Sequence, residues 1–231
     1  VLYALMGIGA ARIYQSPPSR SRSLGLNLFI AQLVVNFFWS PIFFNLQAFG
    51  FAFFWLLLLL AVLLVSGIGS AGFTHLMTLY MSEGMDAMQA AAAFSLCGLA
   101  LMAGKCVCGA LCDKLGSYRA NYLLFGNFIL GCALCVLTPM KSTALMLASS
   151  VFLGFGASLN TVGVSIWASD LSTPERYEKT LRLFQGAYGL GGIVLSFLPG
   201  AIADLAGGYA LSYIVFTVML LYSLFMLQST Y

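Results

Sequence analysis

The chain has 231 residues, 61% hydrophobic and only 7% charged, with a mean hydropathy of +0.97. Soluble domains carry roughly 25% charged residues, so a water-facing surface cannot be built from this composition, and soluble enzymes, nucleic-acid binders and secreted disulfide domains are excluded. The net charge of +3 speaks to membrane orientation rather than to an acidic partner.

Segments without Asp, Glu, Lys or Arg run over 23–82, 87–104, 120–140, 142–169, 183–203 and 205–231. A membrane-spanning helix needs about 20 mostly apolar residues. The expected fold class is therefore all-α, a polytopic helical membrane protein in contact with the lipid bilayer. The apolar stub 1–11 begins at Val1 inside a hydrophobic run and reads as a truncated helix. The run 23–82 would be roughly 90 Å long as one helix, so it must turn, best at the segment from Asn45 through Gln47 to Gly50. Spans are predicted near 24–45, 52–81, 88–112, 120–138, 143–168, 182–203 and 208–228, seven full helices and a partial one.

Loops alternate sides, so 113–119 and 169–182 share one face. They carry Lys114, Arg119, Arg176, Lys179 and Arg182, against Glu83, Asp86, Lys141 and Asp204 opposite. The positive-inside rule puts the basic face and the C-terminus in the cytoplasm. The loop with Arg12, Arg20 and Arg22 falls on the opposite face by the same count, which points to two unlike pieces joined. Six cysteines, Cys97, Cys106, Cys108, Cys112, Cys132 and Cys135, lie in or beside the apolar runs. Of the close group, only Cys108 and Cys112 share a helical face; the cysteines read as small packing residues, and no metal or cofactor is expected.

At the end of the 88–112 span stands Gly109-Ala-Leu111-Cys-Asp113-Lys114-Leu-Gly116, followed by Arg119. Gly109 is expected to permit close helix contact and Gly116 a tight turn. Asp113 can accept from amides at a neighbouring helix N-terminus. This segment resembles the G-x-L-x-D-R/K-x-G signature of the major facilitator superfamily, matching at Gly109, Leu111, Asp113, Lys114 and Gly116. Ser117 and Tyr118 stand where the family carries paired basic residues.

Further on, Gly186, Gly189, Gly191 and Gly192 lead through Pro199-Gly200 to Asp204-Leu-Ala-Gly207-Gly208-Tyr209. The glycine face suits close packing against a moving partner, and Pro199-Gly200 can kink the helix. This string resembles helix 11 of the monocarboxylate and oxalate/formate branches of that superfamily. The resemblance makes 56–231 a C-terminal six-helix half, helices 7–12. Ionisable residues within a membrane are functional candidates. His75, near Thr74, Thr78 and Tyr80, reads either as a proton or substrate contact or as a bonded residue near a helix end. Lys105 reads as a counter-charge for an anionic solute or as a side chain snorkelling to the cytoplasm. Asn160, Ser165 and Trp167 could line a cavity or simply pack.

The N-terminal piece reads differently. Gln32 and Asn36 share one helical face with Trp39, an arrangement suited either to a small-molecule pocket or to interhelical hydrogen bonds and an interfacial aromatic belt. The segment from Gln32 to Phe44 resembles helix 3 of the TspO/MBR family, tryptophan-rich sensory/translocator proteins. The segment from Leu2 to Ile8 resembles its second helix, and Phe53-Phe54-Trp55 its fourth. The resemblance covers 1–55, with the junction inside 53–66, and implies that Gln32, Asn36 and Trp39 would face a pocket for porphyrin or another hydrophobic ligand. The leading expectation is a facilitator-type secondary transporter of a small solute, with an organic anion as one candidate. It would work by alternating access with a second half or by self-association, in the plasma membrane. The alternative is a TspO/MBR-like receptor; an enzyme is not expected.

Overall fold

A computed structural model describes residues 49–231 continuously, and Tyr14, Gln15, Arg22, Leu26, Asn27 and Ile30 before them. The chain divides into two compact units, Val1–Phe54 and Trp55–Tyr231. In the first, the Arg22 guanidinium lies 5.1 Å from the centre of the Tyr14 ring, a cation–π arrangement.

The described residues from Phe49 onward are helical and contain no strand. The elements are α1 (Phe49–Thr74), α2 (Leu76–Ser82), α3 (Ala87–Leu115), α4 (Ser117–Val136), α5 (Thr143–Ala157), α6 (Val162–Asp170), α7 (Tyr177–Ser196), α8 (Leu198–Ala206) and α9 (Ala210–Gln228). Six stretches are long and apolar enough to cross a bilayer, beginning at Ala52, Ala87, Ser117, Thr143, Tyr177 and Ala210. They match the spans predicted after residue 50, and the protein is an integral membrane protein. The predicted span 24–45 and the stub 1–11 lie outside the described residues, apart from Leu26, Asn27 and Ile30.

Three of these spans are interrupted, and of the three only the break near Pro199 has a signal in the sequence. His75 separates α1 from α2, although its N–H still bonds the Ala71 carbonyl and its own carbonyl still accepts from Leu79. The predicted helix 143–168 breaks at a 3-10 turn, Ser158–Asn160. There the Thr161 hydroxyl donates to the Ser158 carbonyl at 3.3 Å, the local competition that makes Thr a poor helix-interior residue. The α7 helix ends at Ser196 rather than kinking at Pro199-Gly200. Pro199 sits in the first turn of α8, where its missing N–H costs little.

Lipid supplies no hydrophobic force between helices, so their association rests on close packing and hydrogen bonds. The tightest crossings surround α5. A Cβ on Gly104 of α3 would meet the Phe155 carbonyl at 2.7 Å, and one on Gly131 of α4 would meet the Leu153 nitrogen at 2.5 Å. In return, Gly154 lies against the Cys97 carbonyl of α3 and Gly156 against Phe128 of α4. Gly191 of α7 lies against the Leu63 carbonyl of α1, and Gly67 against Leu195. These contacts align α1 and α7 side by side in parallel. The buried Tyr80 phenol ties α2 to α5, 3.0 Å from the Met146 carbonyl and 2.8 Å from both the Ser149 and Ser150 hydroxyls.

One packing expectation needs correction, and one is left to a partner. Gly109 has nothing within 4 Å of its Cβ position. The buried face of α3 runs through Cys97, Gly104 and Cys108, and Gly109 is turned about 100° from Cys108 around the helix. Along α7, close contact belongs to Gly191 alone; Gly186, Gly189 and Gly192 face open space, as does Gly200 on α8. The cysteines follow the packing reading: Cys97, Cys108, Cys132 and Cys135 are buried free thiols, and Cys106 is exposed.

The two glycines of α3 therefore respond oppositely to the same substitution. Gly104→Ala should destabilise the bundle by about 1–3 kcal/mol through overpacking. Gly109→Ala should be neutral or stabilising by up to about 1 kcal/mol. Denaturant unfolding in detergent, followed by circular dichroism, checks both. Equal effects would mean that the helices do not meet at Gly104.

Candidate solute site

Polar residues in α1 fall at four-residue spacing, Ser66, Ser70 and Thr74, which places them on one face of the helix. Ser70 lines a cleft of about 450 Å³ between α1 and α7, as does the buried Ser66, whose hydroxyl donates to the Val62 carbonyl at 2.7 Å. Tyr188 and Ser196 supply further hydroxyls there; Ile193 and Phe197 supply apolar wall. Gly189 and Gly192 also line it, and their missing side chains leave the space that larger residues would fill. Four of its eight lining residues carry hydroxyls, and among the described residues no charged side chain lines it. Such a lining orients a small solute by hydrogen bonds within mostly apolar walls.

The junction above the cleft is held by His75. Its Nε2 lies 3.0 Å from the Ser196 carbonyl. A carbonyl only accepts, so Nε2 carries the proton in this arrangement. The imidazole stacks on Tyr209 with 5.9 Å between centroids, and the Ser196 hydroxyl donates back to the Gly192 carbonyl. The half-buried His75 thus clamps the irregular turn of the first span onto the end of α7.

On its other side, α1 meets the broken span. Gly69 lies against Asn160, whose amide nitrogen would be 2.5 Å from a Cβ at that position. Asn160 is 8% exposed, and its Oδ1 has no hydrogen-bond partner among the described residues. A buried polar atom left unpaired costs about 1–3 kcal/mol, so this one stands out near the middle of the span. Trp167, by contrast, is a packing residue: its Nε1 donates to the Asn121 Oδ1 at 3.0 Å and its ring stacks on Phe125.

The signature loop lies at the opposite, basic end. Gly116 caps α3 at φ 76° and ψ 151°, a region essentially closed to side-chain-bearing residues, and donates to the Cys112 carbonyl. Leu111 is half-buried, while Asp113, Lys114 and Arg119 are exposed. No hydrogen bond to Asp113 is found among the described residues, so the expected cap on a neighbouring helix is not made. Beside this loop, the Gln228 amide donates to the Tyr118 carbonyl at 2.9 Å. The Tyr231 hydroxyl donates to the Asp170 carboxylate at 2.8 Å. Burial, and then that carboxylate, push the Tyr231 phenol above its ordinary range. Lys105 is exposed on α3 and absent from the cleft lining; Asp204 is exposed in the last turn of α8. Gln32, Asn36 and Trp39 lie outside the described residues.

The TspO/MBR family model matches residues 1–81, and the Major Facilitator Superfamily model matches residues 119–229. The chain thus carries two segments, each similar to a different membrane-protein family. No curated protein matches it. The facilitator segment contains α4 to α9, hence the α7 wall of the cleft, the broken span and Tyr209. The TspO/MBR segment contains α1 and most of α2. The signature residues Gly109 to Gly116 fall between the two matches.

Sequence reasoning reached His75 and Asn160 but overlooked Ser66, Ser70 and Tyr188. The four-residue spacing of Ser66, Ser70 and Thr74 in an otherwise apolar helix was the available signal. His75→Leu should leave the Ser196 carbonyl without its side-chain donor and loosen the α1–α7 junction by about 1 kcal/mol. Faster amide exchange confined to the residues around 75 and 197 would show it, and unchanged exchange there would remove the clamp from the account.

Proposed function

We propose that the chain is the C-terminal half of a facilitator-type secondary transporter for a small solute, and that Ser66, Ser70, Tyr188 and Ser196 hold that solute by hydrogen bonds. The hydroxyl-lined cleft between α1 and α7 carries this reading, with the facilitator match over 119–229 behind it. Transport of this kind works by one six-helix half rocking against another, which calls for a second half or a second copy. The basic end of the bundle, with Lys114, Arg119, Arg176, Lys179 and Arg182, is read as cytoplasmic by the positive-inside rule. On this reading the C-terminus is cytoplasmic, and the plasma membrane is the membrane it would span.

The cleft lining favours a hydrogen-bonding solute over a charged one. An organic anion would have to draw on Lys105, which lies elsewhere on α3. Uptake of a panel of radiolabelled neutral and anionic solutes into proteoliposomes separates the cases. Ser70→Val and Tyr188→Phe should each lower uptake about tenfold, the effect of one lost solute hydrogen bond, at unchanged unfolding temperature. Uptake indifferent to both would sink the assignment of the cleft. Loss of anion uptake alone on Lys105→Gln would restore the anionic reading.

The TspO/MBR match over 1–81 supports a second reading, a receptor for porphyrin or a similar hydrophobic ligand bound at Gln32, Asn36 and Trp39. Porphyrin titration of the purified chain should then quench Trp39 fluorescence, and Asn36→Ala should abolish the quenching. No saturable quenching would rule this reading out.

A further inference from the structure

A second groove runs between α1 and α7 at the basic end of the bundle, separate from the hydroxyl-lined cleft. It has a volume of about 500 Å³ and walls of Leu56, Leu60, Leu63, Leu183 and Leu190, with Gly186 and Ala187 thinning one side. One charged residue, Arg182, lines it. Leu56 and Arg182 stand near one end and Leu63 and Leu190 near the other, because the Gly191–Leu63 and Gly67–Leu195 contacts set the two helices parallel. Seven residues of helix separate those ends, roughly 10 Å, enough for the upper part of an acyl chain but too short to span a bilayer.

We infer that this groove holds one anionic phospholipid, its acyl chain along the leucines and its phosphate at Arg182. Charge complementarity selects the occupant. Lys179 and Arg182 lie three residues apart on the face of α7 that continues into Gly186 and Leu190. Basic pockets between membrane helices at the cytoplasmic surface are suited to anionic headgroups. The Arg182 guanidinium is bonded to the Glu178 carboxylate at 3.0 Å, with both side chains more than three-quarters exposed. Such an exposed pair holds weakly, so a phosphate can take over the guanidinium. Among the described residues nothing lies within 4 Å of the Gly186 Cβ position, which leaves room where the chain must lie.

The test is native mass spectrometry of the purified full-length chain in detergent, supplemented with equal amounts of phosphatidylglycerol and phosphatidylcholine of matched acyl chains. One bound phosphatidylglycerol is expected, preferred about fivefold, the scale of one basic side chain near an anionic surface. Arg182→Gln should bring the two lipids to parity, and Lys141→Gln at the opposite end should leave the preference intact. Gly186→Phe, which fills the groove without meeting backbone, should remove retention of both lipids. An unfolding temperature within the wild-type range shows that each variant is folded. Equal retention of both lipids by the wild type, or a preference that survives Arg182→Gln, would overturn the inference. A dimer converted to monomer by Gly186→Phe would also overturn it, assigning the groove to a second copy.

Discussion

Backbone approach at glycine is the constraint on which the bundle depends. In water, apolar area would drive the helices together; in lipid it cannot, and what remains is how closely two backbones can lie. The fifth helix is gripped reciprocally: its own Gly154 and Gly156 admit α3 and α4, while Gly104 and Gly131 admit it in return. Any side chain at these positions would widen the crossing and forfeit dispersion contacts along it. The α1–α7 pair uses the same device at Gly67 and Gly191. There the contact is local, and the helices diverge on either side of it into the two clefts. Tight crossings and open space are thus products of one rule, set by which glycines point inward.

Polar groups divide the same way. Tyr80, Ser149 and Ser150 surround the Met146 carbonyl and share three hydroxyl protons among five close contacts, so the cluster is paired yet can rearrange its protons. Asn121 accepts from Trp167 deep in the bundle. The Asn160 Oδ1, at a broken helix, has no hydrogen-bond partner among the described residues. Non-helical backbone at membrane depth is found where it is buried in protein or lines a cavity, and the break at Ser158–Asn160 fits the first description.

The spans were legible because charge is excluded from them, so Lys114, Lys141, Glu83 and Arg176 marked the loops directly. The interruptions at His75 and Ser158 were not legible, since a single distorted turn changes neither hydropathy nor charge, whereas Pro199-Gly200 signalled a break two residues from where it falls. Glycine roles were half legible. The sequence shows that Gly186, Gly189, Gly191 and Gly192 crowd one helix, but which of them meets a neighbour depends on rotation about an axis that a uniformly apolar segment does not encode. The expectation of close contact at Gly109 did not hold for that reason. The candidate cleft was missed because Ser66 and Ser70 are ordinary small residues until a second helix stands opposite them.

The clamp at Tyr80, the crossing at Gly67 and the bond from the Tyr213 hydroxyl to the Gly72 carbonyl all fasten a helix that the TspO/MBR match includes. A boundary drawn at residue 81 would cut α1 and most of α2 away from the helices that Gly67, Gly69, Gly72 and Tyr80 contact. Ancestry and mechanical membership therefore need not share a border in this chain. Whatever history brought its segments together, selection on α1 now has to satisfy the neighbours it packs against, whichever family its residues resemble.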